Sequence, residues 1–296
     1  MLWVLVALPL LAAFFVLIER IAGHRGQRAQ PILRREWFTD VVYWLTSLLL
    51  TRPLVRLVLI VPLSQLILAQ LSSFESLNVA SYAGYGALSR QPIWLQFIQI
   101  CLLLDLSGYW SHRLLHRSGW WQFHAVHHSS KDLDWLVTLR VHPIEELIHK
   151  LINTTLLLLL GYDPRATLIA APILTIHTIF IHANLDWDFG PLRSVIVSPV
   201  FHRWHHAMER EAWNKNFSTV LPLWDILFGT YYMPRGRYPA SVGISDPMPV
   251  DYLGQLWRPF QVLLRRSKKR AETERNRVRV SQTGASQTGV SQTELV

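Results

Sequence analysis

Histidine is the residue type with the clearest chemical potential in this 296-residue chain. Of its thirteen histidines, twelve fall between positions 112 and 206. Because residues three and four positions apart share one face of a helix, a short group of them can point its imidazoles in one direction. Eight imidazoles suffice for two metal ions, and imidazole suits zinc, copper, iron and nickel rather than magnesium or calcium. Three such groups occur: His112 and His116; His124, His127 and His128; His202, His205 and His206.

Five further side chains are candidates for additional ligands or for supporting hydrogen bonds. His182 follows an apolar segment and is expected to complete the site as a ninth ligand. His177 lies about 140° around a helix from His182, which favours a packing role for it. Metal-bound histidines usually donate their second N–H to a carboxylate or carbonyl, and His142, Asp105 and Asn184 are candidates for that surrounding layer. His142 precedes a proline and is equally suited to cap a helix.

Apolar runs on both sides of these groups must position them. Leu2–Ile18 is apolar throughout and lacks the features of a cleaved signal peptide, which indicates a membrane anchor. Residues 41–71 are apolar apart from two arginines, and Pro53 is expected to break the helix there. A third helix opens at Ile93 and runs toward Trp110. Residues 143–160 and 164–182 are expected to form an antiparallel pair, with Asp163 as the N-cap of the second helix.

Charge distribution predicts how these helices cross a membrane. The loop that follows the first run is rich in arginine, around His24, which favours the cytoplasmic side. Residues 257–296 contain nine Lys or Arg and three Glu, six of the nine net positive charges of the chain. If residues 41–71 cross once rather than twice, this basic tail and the histidines both lie in the cytoplasm. We therefore expect an all-α, polytopic membrane protein with about five transmembrane helices and a cytoplasmic histidine-rich helical cap.

Composition excludes several other classes. Hydrophobic residues make up 50% of the chain and charged residues only 17%, below the roughly 25% of soluble domains. A single cysteine, Cys101, excludes an internal disulfide framework and a cysteine-rich zinc module. The basic tail lacks the aromatic pattern of a nucleic-acid surface, so contact with anionic lipid is the simpler interpretation and no nucleic-acid partner is expected.

The order of these motifs resembles the fatty acid hydroxylase superfamily and, within it, the sterol desaturase family with its bacterial members. The resemblance runs from about Trp94 to Pro234. It includes the three histidine groups, the Arg140–Glu145 segment and the aromatic stretch from Leu223 to Tyr232, which reads LWDILFGTYY. These motifs are specific to the superfamily and do not specify a substrate.

The resemblance implies a membrane-bound, non-haem di-iron oxygenase that uses O₂ as co-substrate to hydroxylate or desaturate a C–H bond of a sterol, fatty acyl chain or related lipid. No dinucleotide fingerprint or CxxCH haem site occurs, so electrons are expected from a separate ferredoxin, reductase or cytochrome. A bacterial inner membrane is the expected location. The implied iron ligands are His112, His116, His124, His127, His128, His182, His202, His205 and His206.

The implied organisation has four parts. Residues 1–92 form N-terminal membrane helices and a loop, residues 93–256 a membrane-embedded catalytic domain, residues 257–280 a basic cytoplasmic tail, and residues 281–296 a disordered SQTG repeat. Two alternative functions remain open at this stage. One is a zinc-dependent membrane hydrolase, which needs only three protein ligands and a general base. The other is a metal transporter, whose ligands usually lie near the bilayer midplane.

Overall fold

Helices are the regular secondary structure in the part of the chain that its computed structural model describes. That part comprises residues 2–22, 30–57, 84–117 and 119–287, together with positions 61 and 65. Within it no β-strand occurs, and extended chain pairs only at the bridge between Ala207 and Val242. The prediction of an all-α protein is therefore confirmed for these residues.

Seven helices organise the described chain. They are α1 (Leu2–Ala22), α2 (Trp37–Thr46), α3 (Ile93–Leu115), α4 (Pro143–Leu160), α5 (Pro164–His182), α6 (Pro199–His205) and α7 (Tyr252–Gln287). Shorter α-helices and 3₁₀ turns connect them: Arg52–Val55, Gly86–Ser89, Trp121–His124, His127–Ser129, Trp135–Leu139, Gly190–Ser194, Arg210–Ala212 and Leu223–Leu227.

The hairpin of α4 and α5 follows from local capping signals in its sequence. Each helix begins with a proline, whose missing N–H costs nothing in the first turn. The His142 side chain accepts a hydrogen bond from the amide of Ile144, and the Asp163 side chain accepts one from Arg165. Between them Gly161, at φ 72°, ends α4 in the left-handed conformation that glycine adopts without strain. The predicted hairpin and the Asp163 cap are confirmed.

The sequence predicted that Pro53 would break the helix in the second apolar segment, and this prediction is wrong. The backbone stays helical from α2 into Arg52–Val55, but residues Ser47–Thr51 widen into a π-helical turn. Proline lacks an N–H and its ring clashes with the carbonyl four residues earlier. A wider turn just before Pro53 relieves both problems, because the helix no longer requires that hydrogen bond.

Helices α3 and α5 form the framework on which the histidine segments rest. Ile100 on α3 packs against Tyr162, Ala166 and Ala170 at the start of α5. Small residues on α5 let the two helices approach closely. The C-terminal end of α5 packs on α6 through a second apolar cluster that includes Ile181, Val200, Phe201 and Trp204. The end of α3, the end of α5 and all of α6 are therefore held together. They contain four of the nine predicted ligands, and His116 and His206 directly follow α3 and α6.

Two described helices, α3 and α5, are long and apolar enough to cross a membrane. Leu168 on α5 is 73% exposed, and Ile173 and Ile176 also face outward, an arrangement that suits a lipid environment rather than water. Helix α4, the partner of α5, has Glu145, Glu146 and Lys150 in its first two turns. The prediction of about five crossings stays a prediction.

Several predicted features fall outside the described residues. These are the arginine-rich loop around His24, residues 58–83 apart from positions 61 and 65, and residues 288–296. The question of one or two crossings in 41–71 therefore stays open. The last helix, α7, extends from Tyr252 to Gln287 and thus includes the first seven residues of the repeat predicted as disordered. An established helix lengthens with one hydrogen bond per added residue, so it can continue into a segment with no apolar face.

A buried network of ion pairs links the N-terminal part of the chain to the segment before α4. Asp40 on α2 accepts hydrogen bonds from both Arg34 and Arg140. The Arg34 guanidinium also binds Asp134 at 2.6 Å, and the Arg140 guanidinium binds Glu36 at 2.6 Å. Arg34, Asp40 and Arg140 are all fully buried as side chains. Each charge thus has an opposite partner, which a charge removed from water requires.

Removal of the central carboxylate should destabilise the protein strongly. Asp40→Asn leaves two buried guanidiniums short of one negative charge, and breaking such a pair costs about 3–5 kcal/mol. We expect a clear fall in Tm, which is measured by the tryptophan fluorescence of the detergent-purified protein during heating. Glu272→Gln, which removes an exposed carboxylate on α7, is the matched control and should leave Tm unchanged. Equal Tm values for the two variants would contradict a structural role for the network.

Candidate metal centre

Nine buried or half-buried imidazoles converge into two adjacent groups. The first contains His112, His116, His124, His128 and His205, and the second contains His127, His182, His202 and His206. In each group the candidate ligand atoms all lie within 4.8 Å of one another. Stacking of His128 on His206, with ring centroids 4.3 Å apart, joins the two groups. The structure thus brings together all nine histidines proposed from the sequence.

The grouping differs from the sequence expectation that each motif points in one direction. His124 and His128 enter the first group, whereas His127, between them, enters the second. In the third motif His202 and His206 enter the second group and His205 the first. On an α-helix, residues four positions apart lie on nearly the same face. A residue three positions after the first points about 60° away from it, to the other side. Each HxxHH motif therefore supplies a pair of imidazoles to one group and a single imidazole to the other.

In three of the rings Nδ1 is the outer nitrogen, which points away from the group, and Nε2 is the inner one. Hydrogen bonds at Nδ1 determine which of the two nitrogens has the lone pair. Nδ1 of His112 donates to the carbonyl of Phe217 at 2.8 Å, and Nδ1 of His205 donates to the carbonyl of Lys215 at 2.8 Å. Nδ1 of His182 donates to the carbonyl of Thr178 at 2.7 Å. Since a carbonyl can only accept, Nδ1 has the proton and Nε2 has the lone pair in each neutral ring.

Glu145 supplies the corresponding contact for His124. Its carboxyl oxygen Oε1 lies 2.8 Å from Nδ1 of His124, and both side chains are buried. Glu145 is in the first turn of α4, where the His142 cap and Pro143 fix the start of the helix. This contact is of the kind that orients metal-binding histidines in proteins. In the sequence Glu145 stood out only as the end of the Arg140–Glu145 motif, whereas the structure puts it directly against a ring of the first group.

The inner nitrogens face one another in an arrangement that a cation would stabilise. Nε2 of His112 lies 3.0 Å from Nε2 of His124, and Nε2 of His182 lies 2.9 Å from Nε2 of His202. Because Nδ1 of His112 donates to a carbonyl, its Nε2 presents a lone pair toward Nε2 of His124. Two nitrogen ligands about 2.1 Å from one ion and at right angles are themselves about 3 Å apart. The spacing and the donor set therefore fit a metal ion in each group.

Burial keeps these rings in the neutral form that binds metal. The pKa values of His128 and His206 lie well below the ordinary 6.5, because burial disfavours the charged form and neighbouring imidazoles lower the pKa further. The same cause lowers the pKa values of His124 and His202. Neutral imidazole is the ligand form, and binding competes with protonation.

Asp105 supports the site through a loop rather than through a histidine. It accepts hydrogen bonds from the amides of Val220 and Leu221, each at 2.9 Å, and from the indole of Trp224. Asp225, fully buried, accepts from the amide of Phe217. The two carboxylates thus hold the loop whose Phe217 carbonyl orients His112. The aromatic stretch around Asp225 was the sequence signal for this loop, but the loop contact itself is not visible in the sequence.

The remaining sequence candidates lie outside the two groups. His142 caps α4 and its Nε2 lies 3.1 Å from the carbonyl of Leu256, so it acts as a cap. His177 is on α5 but not in either cluster. Asn184 accepts a hydrogen bond from the buried Arg203 at 2.6 Å, and contacts α1 through its amide and Glu19. These residues stabilise the helices around the site.

A cavity of about 700 Å³ opens next to the histidine groups. His112, His124, His127, His182 and His202 line one part of it, so both groups are accessible from it. Most of the remaining wall is apolar. It comes from α1, α2, the π-helical turn after α2, α3 and α5, with contributions such as Leu11, Leu48, Leu104 and Ile179. The volume and lining suit a hydrophobic molecule of substantial size.

The buried neutral imidazoles predict a specific pH dependence for the metal-free protein. In the unfolded chain these rings titrate near 6.5, whereas in the folded chain their pKa values are lowered. Below pH 6.5 the unfolded state therefore binds more protons, and the free energy of unfolding falls as pH decreases. The expected slope is about 1.4 kcal/mol per pH unit for each such ring, and this loss is absent well above pH 6.5.

Unfolding of the metal-free protein between pH 5 and pH 8 tests this prediction. The double variant His128→Gln/His206→Gln lacks two of the buried rings, so its stability should fall less steeply below pH 6.5. Parallel curves for the wild type and the double variant would contradict the prediction.

Comparison with known proteins places this constellation in a family. The model of the family described as Fatty acid hydroxylase matches residues 97–230, a range that contains all nine clustered histidines. No solved structure matches the chain.

Three curated relatives illustrate the similarity. The chain is 30% identical over 181 residues to an ornithine lipid hydroxylase, OlsE, of Rhizobium tropici, an alignment of 61% of this chain and 55% of that protein. It is 30% identical over 183 residues to alkylglycerol monooxygenase of Danio rerio and 32% identical over 171 residues to that of Homo sapiens. These alignments cover 56% and 53% of this chain but 38% and 36% of the relatives, so the chain spans about half of their length or less. The family match and these relatives agree: residues 97–230, slightly under half of the chain, match the fatty acid hydroxylase family.

Proposed function

We propose that this protein is a membrane-bound, non-haem di-iron oxygenase that hydroxylates or desaturates a lipid. The observation on which the proposal rests is the pair of largely buried imidazole groups, the first of them supported by Glu145, beside a largely apolar cavity. The five histidines of the first group would hold one iron, and the four histidines of the second group would hold the other. Iron in an imidazole-rich site supplies the redox chemistry by which O₂ attacks an unactivated C–H bond.

The chain's own residues have defined tasks in this reaction. The histidines hold the metals, while Glu145 and the Phe217, Thr178 and Lys215 carbonyls orient the rings. The cavity walls exclude water and place a lipid C–H bond next to the two groups. For hydroxylation the balance is one C–H bond, O₂, two electrons and two protons, giving one alcohol and one water. The two electrons would come from a separate ferredoxin, reductase or cytochrome partner.

The size of the ligand set favours this function over the two alternatives. A catalytic zinc site in a hydrolase uses three protein ligands and a general base, whereas nine imidazoles converge here. A transporter keeps its ligands near the bilayer midplane, whereas these histidines occur at the ends of α3 and α5 and in the segments that follow. A lipid substrate is also consistent with the names of the relatives, an ornithine lipid hydroxylase and an alkylglycerol monooxygenase.

The proposal includes a membrane arrangement with about five crossings. Helices α3 and α5 support it by length and composition, and the outward-facing leucines and isoleucines of α5 would contact lipid. The histidine groups and the basic helix α7 would face the cytoplasm, in a bacterial inner membrane. Exposed arginines and lysines on α7 would then lie next to anionic headgroups.

Metal content of the purified protein tests the central claim. We expect about two irons per wild-type chain and clear loss of iron in His127→Ala, because His127 is one of four ligands in the second group. The control is His177→Ala, which removes an imidazole from α5 outside both groups and should retain iron. Incubation of bacterial lipid extract with O₂ and a reductant should yield products with one added oxygen or two fewer hydrogens, and His127→Ala should yield none.

Two results would overturn the di-iron proposal. Full product formation by His127→Ala would remove the proposed role of the second group. Turnover of an ester or amide without O₂ or reductant, together with one zinc per chain after growth in iron-rich medium, would support the hydrolase instead. Iron reconstitution of the purified protein distinguishes an incorrectly loaded metal from a true preference.

The topology has its own test. A fluorescent protein fused after Val296 should fold and fluoresce in a bacterial host, and alkaline phosphatase fused there should be inactive, because the tail is proposed to be cytoplasmic. A fusion of each reporter at the N-terminus should give the opposite result. The proposed topology has an even number of crossings after α1. An active phosphatase at the C-terminus would contradict it, because an exported tail requires an odd number.

A further inference from the structure

A small group of charged side chains lies in the wall of the otherwise apolar cavity. Arg52, from the short helix after α2, binds Glu146 of α4 with 2.7 Å between Nε and Oε1. Ser47 donates to the same carboxylate from the π-helical turn. Lys150, one turn further along α4, also lines the cavity and is close enough to Arg52 and Glu146 for their charges to interact.

Lys150 is the cation in this wall that lacks a carboxylate of its own. The carboxylates that line the cavity are Asp105, Glu145 and Glu146. Asp105 is engaged by the 219–224 loop and Glu145 by His124, while Glu146 is shared by Arg52 and Ser47. Among the described residues, no carboxylate oxygen lies within 4.0 Å of the Lys150 ammonium. The cavity wall therefore has one positive charge without a direct partner.

The Lys150 side chain is exposed although it lines the cavity, so its ammonium is accessible to a ligand that enters there. Lys150 follows Glu145 by five residues, a rise of about 7.5 Å along α4. Its ammonium is thus attached to the same helix that supports His124, on a wall that leads to the histidine groups.

We propose that Lys150, with Arg52 beside it, binds an anionic oxygen group of the lipid substrate, a carboxylate or a phosphate, inside the cavity. The proposal deepens the proposed function, since it names the class of lipid that the oxygenase site would take. The anionic end would lie against the Lys150 ammonium, and the apolar chain would fill the part of the cavity lined by leucine and isoleucine. A neutral ester, alcohol or sterol would leave the ammonium without a partner.

Equilibrium binding to the detergent-purified, full-length protein tests the proposal without need of turnover. The probes are radiolabelled palmitate and lysophosphatidic acid, each compared with an uncharged lipid of equal chain length, methyl palmitate and monopalmitoylglycerol. The wild type should bind each anionic probe about ten-fold or more tightly than its neutral counterpart. Lys150→Met, which keeps the length of the side chain, should abolish that preference, and Lys150→Arg should retain most of it. Lys268→Met on the exposed surface of α7 is the matched control and should behave as the wild type.

Each outcome has a definite meaning. A wild-type protein with no preference for either anionic probe overturns the proposal even if Lys150→Met does not fold. Equal weakening of anionic and neutral probes in Lys150→Met also overturns it, since that result indicates a structural role for the side chain. Preference for palmitate alone or for lysophosphatidic acid alone identifies the carboxylate or the phosphate as the anion.

The binding result is independent of the proposed function. If Lys150→Met loses the anionic preference but the iron-loaded wild type oxidises no lipid, the oxygenase assignment fails and the anionic lipid site stands. If lipids are oxidised but the wild type binds anionic and neutral probes equally, the oxygenase assignment stands and the role of Lys150 is wrong.

Discussion

The convergence of imidazole lone pairs is the interaction on which this structure depends. Nε2 of His112 lies about 3 Å from Nε2 of His124, and Nε2 of His182 lies about 3 Å from Nε2 of His202, while Nδ1 of His112 and of His182 each donates to a backbone carbonyl. A cation beside these Nε2 atoms would stabilise the lone pairs of His112 and His182. The fold must therefore hold nine rings in place by contacts outside the two groups. Burial keeps the rings neutral. It also removes the imidazole nitrogens from water, and the surrounding helices or bound metal must offset the free energy that this desolvation costs.

Those outer contacts come from parts of the chain that are far apart in sequence. The Phe217 carbonyl holds His112, and two buried carboxylates, Asp105 and Asp225, hold the loop that contains it. Glu145 holds His124 from the first turn of α4. The Asp40 network, in turn, anchors the segment between the second histidine motif and α4 through Arg140. Accurate placement of the rings thus requires all of these elements, and each of them does little without the others.

The cavity connects the metal-binding geometry to a role on lipids. Its wall consists of helices whose outer surfaces are also apolar, an arrangement suited to a substrate that arrives from a membrane. The same wall has Arg52, Glu146 and Lys150 on the side that leads to the histidine groups. An apolar cavity with one ammonium that lacks a direct carboxylate partner would select for amphiphiles by both their chain and their anionic end. Selectivity and reactivity would then share α4, which has Glu145 against His124 and Lys150 in the cavity wall.

Sequence alone determined the composition of the site and much of the helical framework. The three histidine motifs and His182 were identifiable from spacing, and the α4–α5 hairpin from Pro143, Gly161 and Asp163, because helix periodicity and capping are local properties. Tertiary structure decided how each HxxHH motif divides between two groups, that His142 caps a helix, and that Asp105 supports a loop. It also decided that Pro53 follows a π-helical turn and that Glu145 contacts His124. These features depend on which distant segments pack together, and no local pattern of residue types contains that information.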